Sequence, residues 1–150
     1  MTEIMISIKP EWVQKIFHLR KTWEVRITRP KYSTPFKCYI YQTGNGGVIG
    51  EFTCDEIQEE FTDELSKEWL KDTEVTLQEA VAYANGRVLI YKWRIRSIVE
   101  YSEPRPLSIY GLAKPPRSWC YINPQWEEVE GVHMENGNVV IEPKEAEHGR

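Results

Sequence analysis

The sequence predicts an α+β chain: a small, mixed but mainly antiparallel β-barrel with two or three helices. Three observations carry that prediction. About six short runs combine β-branched and aromatic residues with two-residue alternation. Most of these runs are joined by short turn-forming stretches rather than long helices. Only two or three segments repeat their apolar residues at helical spacing. With 150 residues, 41% of them hydrophobic, the chain has enough apolar material to fold around one core.

Residues 4–8 alternate weakly and read as a first strand. Pro10 follows where a helix begins, since its missing N–H costs nothing in the first turn. Trp12, Val13, Ile16 and Phe17 then repeat at helical spacing up to about Leu19. Residues 20–30 read as a second strand. Trp23, Val25 and Ile27 share a face suited to a core, while Thr22, Glu24, Arg26 and Thr28 share the other. That polar row, with Lys21 just before it, is the most unusual feature of the chain. Residues 36–41 are a third extended run. Gly44-Asn45-Gly46-Gly47 makes a turn, and residues 48–54 return as the hairpin partner. The acidic stretch that follows carries Leu65, Trp69 and Leu70 at helical spacing. A short helix is expected from Thr76, with Glu79 completing a capping box and Gly86 stopping it. Residues 88–99 are the longest strand signal. Pro104, Pro106, Pro115 and Pro116 mark an extended, helix-free connection. Residues 118–122 form a last core strand. Residues 132–134 and 139–141 flank Asn136-Gly137 as a terminal hairpin, and residues 144–150 read as a frayed tail.

Charge is unevenly placed. The net charge is −4, which by itself argues against strong nonspecific nucleic-acid binding. Residues 9–37 nevertheless hold eight Lys/Arg against two Glu, and residues 87–117 hold seven against two. Residues 51–79 hold eleven acids against two Lys, and residues 127–150 seven against two bases. Such a distribution predicts a polarised surface, or at its simplest separate solvated faces. No apolar run is long enough to span a bilayer. The N-terminus lacks the basic-then-apolar pattern of a signal peptide, so a cytoplasmic location is expected. Cys38, Cys54 and Cys120 are scattered and odd in number, which reads as free thiols. The three histidines, His18, His133 and His148, are equally scattered, so no metal site and no cofactor is expected. There is no phosphate-binding Gly-rich loop and no Ser-His-Asp or Cys-His arrangement.

Ser7-Ile8-Lys9-Pro10, a short helix and then Lys21-Thr22-x-Glu24-x-Arg26 resembles the opening of the ASCH domain family, within the PUA-like superfamily of β-barrels. Val48-Ile49-Gly50-Glu51-Phe52, Thr76-Leu77-Gln78-Glu79-Ala80, Leu107 and Pro115-Pro116-x-Ser118-Trp119-Cys120-Tyr121 fit the same pattern, most like the ASCH-like proteins of phages and prophages. The resemblance covers roughly residues 4–122. It implies an ASCH/PUA-like domain over 1–122, with 123–150 as an extension bearing a hairpin and an acidic tail. It also implies a cleft between the first helix and the barrel that meets RNA, a modified base or a nucleotide-like ligand.

The residues assigned to that cleft are Lys9, Lys21, Glu24, Arg26, Tyr41, Arg94 and Ser118. Arg26 offers a planar fork for a phosphate or base edge, and Glu24 accepts from an exocyclic amine. Lys21 contacts phosphate, and Lys9 joins the same cleft unless it is an ordinary exposed lysine. Tyr41 offers a ring for stacking, unless it packs under a helix or loop. Arg94, with Lys92 and Arg96, extends a basic stripe, and Ser118 bonds a ligand or caps a turn. The simpler alternative is a Glu24 ion pair that only fixes its strand. One ASCH branch hydrolyses acetylated cytidine with a Lys, a Thr and a Glu. Its lysine falls on Lys21, its threonine on Glu24 and its glutamate near Thr73 and Glu74. An enzyme built here, either such an amidohydrolase or an RNA-cleaving ASCH protein, would therefore use Lys21, Glu24 and Glu74, without the hydroxyl nucleophile. A third expectation is a phage accessory protein that binds a host protein through its acidic faces.

Overall fold

The computed structural model describes residues 1–124, 131–135 and 138–141. The elements are β1 (Glu3–Ile8), α1 (Pro10–Phe17), β2 (Trp23–Arg26), β3 (Phe36–Gln42), β4 (Gly47–Phe61), α2 (Leu77–Ala84), β5 (Leu89–Arg105), β6 (Trp119–Ile122), β7 (Val132–Glu135) and β8 (Asn138–Ile141). Short 3₁₀ turns at Thr62–Glu64 and Leu107–Tyr110 complete the set. The α+β class is as expected, with mostly antiparallel pairing.

The topology differs from the expected barrel in two ways. The six-stranded sheet runs β2-β5-β4-β3-β1-β6, and among the described residues no backbone ladder joins β2 to β6. The sheet is therefore open. In addition, β1 does not neighbour β2. It pairs in parallel with β3, Ile4 opposite Cys38 and Ile8 opposite Gln42, so α1 and β2 lie in a crossover between two parallel neighbours.

Both long strands outrun their sequence signals. β4 continues to Phe61 and β5 runs to Arg105, paired through three register shifts. Each shift inserts unpaired residues and bends the ribbon, which lets the β4–β5 pair serve as the long wall of the sheet. The acidic stretch is correspondingly not a helix. Its first part is strand, and Leu65, Trp69 and Leu70 reach the third core cluster from turns. Their helical spacing reflects burial on one side, and pairing with β5 satisfies the backbone of residues 57–61 instead. The proline-rich connection is extended only as far as Arg105, and the 3₁₀ turn then buries Ile109 and Tyr110.

Three apolar clusters hold the fold. The largest gathers β1, β3, β4, β5 and the inner face of α1 around Ile6, Ile16, Phe36, Phe52 and Trp93. The second lies on the other face of β1 and β3, around Met5, Tyr39, Tyr41 and Tyr110, and includes Val132 of β7. The third joins Val25 of β2 to Leu70, Ala80, Ala84 and Ile90. Cys38 and Cys54 are buried and Cys120 is half-buried, all as free thiols. β7 and β8 pair with Val132 opposite Ile141. The expected Asn136-Gly137 turn and the tail over residues 144–150 lie outside the described residues.

Candidate functional site

The polar row of β2 does not face water. Glu24 stands directly opposite Trp93 of β5, a fully buried member of the largest cluster, so the row faces inward. Val25, on the opposite face, is covered by α2 and Leu70. A strand with both faces covered explains why Glu24 and Arg26 are buried despite their charge.

Local geometry brings Lys21 to them. Past α1, Leu19 turns the chain with φ of 59°, and the Arg20 and Lys21 amides both donate back to the Lys15 carbonyl. Lys21 is thereby tucked beneath the helix, fully buried, with its Nζ 4.9 Å from the Trp12 ring centre. Across from it, Asp72 and Glu74 adopt positive φ of 65° and 62°. That loop aims the Thr73 carbonyl at Lys21, which donates to it at 2.5 Å.

Glu24 joins the two cations. Its Oε1 lies 3.2 Å from Lys21 Nζ, and its Oε2 accepts from Arg26 Nη2 at 3.1 Å. Burial alone would push this carboxyl up. The fields of Lys21 and Arg26, with their hydrogen bonds, outweigh that and hold it below the ordinary carboxylate value. Arg26 also donates from Nη2 to the Ser7 carbonyl at 2.9 Å and from Nη1 to Ser118 Oγ at 3.0 Å.

This triad floors a cleft of about 320 Å³ between α1, β2 and α2. Trp12 of α1 and Tyr83 of α2 contribute aromatic walls, and Lys9 and Arg117 contribute cations. Pro10 starts α1 at its first position, which leaves Lys9 as the exposed cap residue. Glu79 and Tyr83 share a face of α2 by their four-residue spacing, while Ala80 and Ala84 bury the other.

The structure thus brings together Lys9, Lys21, Glu24 and Arg26, with Ser118 behind Arg26 as an acceptor. It does not bring in Tyr41, Glu74, or Arg94 with its neighbours Arg96 and Lys92. Tyr41 is 6% exposed in the second cluster, on the opposite face of the sheet, because it packs under the 3₁₀ turn and β7 rather than meeting solvent. Arg94 makes a two-pronged pair with Asp55 of the neighbouring strand, at 2.8 and 3.0 Å, and does not line the cleft. Arg96 turns to the same Asp55, and Lys92 lies between the Trp23 and Trp69 rings, so the basic stripe is not a cleft wall. Glu74 pairs with Arg20 at 3.5 Å, while its neighbour Thr73 meets Lys21 through the backbone.

Sequence reasoning missed Trp12, Tyr83 and Arg117 as lining residues. Trp12 carried the same helical spacing as the core residues of α1. Tyr83 is set apart only by standing four residues after Glu79, off the alanine face. Arg117 follows Pro115-Pro116, whose rigidity gave no direction for the next side chain.

No helix among the described residues is long and apolar enough to cross a membrane. No family model matches the chain, and no curated protein matches it. Solved structures do. The crystal structure of ASCH from Zymomonas mobilis superposes with a TM-score of 0.71 at 22% identity, over 81% of this chain and 87% of that one. Two crystal structures of single-residue variants of the same Zymomonas mobilis protein match at TM-scores of 0.71 and 21% identity, covering 81% and 82% of this chain and 88% and 91% of theirs. The chain has the fold of these ASCH proteins.

Proposed function

We propose that the cleft holds one nucleobase with its phosphate, either as a free nucleotide or as a unit of an RNA chain, in an ASCH-type binding domain. The observation that carries this reading is Glu24. An ionised carboxylate only accepts hydrogen bonds, and here one is kept ionised at the floor of an aromatic-walled cleft. A base that presents an amine, such as cytosine or adenine, supplies the matching donor. Trp12 and Tyr83 supply faces for stacking. Lys9, Lys21, Arg26 and Arg117 outnumber Glu24 and Glu79 by two, which favours an anionic ligand. The volume lies at the small end of the roughly 300–1,000 Å³ usual for small-molecule sites. The shared fold with the Zymomonas mobilis ASCH proteins supports the same class.

A hydrolytic role for Lys21, Glu24 and Glu74 draws no support from the geometry. Glu74 is engaged by Arg20, and Lys21 is committed to Glu24 and the Thr73 carbonyl.

Calorimetric titration with nucleosides, nucleoside 5′-monophosphates and short RNA tests the binding reading. Trp12→Ala is expected to weaken the best ligand by about tenfold through lost stacking. Lys9→Ala is expected to weaken phosphorylated ligands but not nucleosides. Equal affinities for the parent and both variants, or no binding across the panel, would remove the cleft from consideration.

A further inference from the structure

We propose that the seam between β2 and β6 is a track for single-stranded RNA, leading from the cleft to a second stacking site on Tyr32 and Tyr121. The proposal rests on the cleft reading and extends it from one nucleotide to a strand.

One bank of the seam is the bend at residues 117–118 and β6 after it. Trp119 and Tyr121 share one face of that strand, and Arg117 stands just before it. Arg117 lines the cleft, while Tyr121 and Tyr32 line a separate hollow of about 390 Å³. Four residues of chain, at most roughly 13 Å long, separate the two places. The other bank is the chain from Arg26 through Thr28, Arg29 and Lys31 to Tyr32. Hydrogen bonds tie the banks together along their length. Arg26 reaches Ser118, Trp119 Nε1 donates to Thr28 Oγ1 at 2.9 Å, and the Lys31 amide donates to the Tyr121 hydroxyl at 3.0 Å.

The far end is a braced aromatic platform. Tyr32 meets Tyr121 edge-on at 5.4 Å, Tyr121 meets Trp119 at 5.3 Å, and Trp119 meets buried Trp93 at 5.7 Å. The inner ring is rooted in the core, yet Tyr32 and Tyr121 are 51% and 39% exposed. Rings held this way lose little conformational freedom when a base stacks on them. Lys31 Nζ lies 5.8 Å from the Tyr32 ring centre, where it can pair a phosphate.

Charge selects the occupant. Residues 27–32 and 117–121 carry three Arg/Lys, namely Arg29, Lys31 and Arg117, and no Asp or Glu, in a chain whose net charge is −4. The hollow's carboxylate, Glu3, accepts from the Tyr39 hydroxyl at 2.7 Å. A basic strip that ends on exposed rings matches a polyanion bearing planar bases.

The test compares CMP with tetracytidylate on the full chain, by calorimetry and fluorescence anisotropy. The tetramer is expected to bind at least tenfold tighter than CMP. Tyr32→Ala and Tyr121→Leu should each lower tetramer affinity about tenfold and leave CMP unchanged, while Tyr32→Phe retains parental binding. Lys31→Ala should reduce the slope of log affinity against log salt by about 0.7. The track is overturned if the tetramer binds no tighter than CMP, if Tyr32→Ala binds it as the parent does, or if an acidic peptide binds with the same tyrosine dependence and the tetramer does not. If the tetramer binds through Tyr32 while CMP does not bind and Trp12→Ala has no effect, the cleft reading falls and the track from it is overturned, leaving the Tyr32–Tyr121 stacking site by itself. If neither ligand binds, both fall.

Discussion

Glu24 is a buried carboxylate that joins two cations, and the proposed function gives it a second role toward a ligand. Replacing it with Gln would leave Lys21 and Arg26 buried without a counter-charge. Breaking a buried ion pair from one side costs about 3–5 kcal/mol, so Glu24→Gln is expected to lower unfolding free energy by that order in urea titration at pH 7. A loss below about 1 kcal/mol would mean that solvent reaches the triad and screens it. The pH dependence follows from the depressed carboxyl. Its stabilisation is fully present above the unfolded carboxyl's value of 4.5 and is lost as pH falls through the lower folded value. Parent and variant should therefore differ at neutral pH and converge in acid. At this scale the sequence was partly legible. Two-residue alternation put Glu24 and Arg26 on one face. That the face turns inward was not legible, because it depends on Trp93, 69 residues later, lying opposite Glu24.

Among the elements, α1 decides where the cleft wall stands, and Gly50 decides where α1 sits. A methyl group at position 50 would come within 2.7 Å of the Phe17 ring and 2.5 Å of the Val99 carbonyl oxygen. The first is the last residue of α1, the second is backbone of β5, and only the side chain can move aside. Gly50→Ala is expected to cost about 1–3 kcal/mol by overpacking, read from the urea midpoint. It should also shift Trp12 fluorescence as the helix lifts; an unchanged midpoint and spectrum would show that the helix has slack. The helices were the most readable elements. Pro10 marks the start of α1. Thr76 and Glu79 exchange both capping bonds, at 3.1 and 3.0 Å. Such signals are local, so they need no partner to be read. The acidic stretch misled for the opposite reason. Its helical spacing was real, but Leu65, Trp69 and Leu70 reach the third cluster from turns after β4, and no local pattern announces that packing.

For the whole molecule, the open edge between β2 and β6 is bridged by side chains rather than a backbone ladder. Arg26 reaches the Ser7 carbonyl near the end of β1 and the serine that precedes β6, which makes one side chain both cleft floor and clasp. Arg26→Leu is expected to raise amide hydrogen exchange across β6 well above that of the β4–β5 ribbon. Uniform exchange across the sheet would show that the ladder to β1 holds β6 unaided. The α+β class, the free cysteines, the order of strands along the chain and the Lys21/Glu24/Arg26 grouping all followed from the sequence, since each depends on composition or on neighbours a few residues apart. The parallel β1–β3 pair, the open seam, the burial of Tyr41, the Arg94–Asp55 pair and the meeting of Trp12, Tyr83 and Arg117 around one cavity were decided only by tertiary structure. Each depends on which distant segments pair and in what register, and a one-residue shift in register exchanges the buried and exposed faces of a strand.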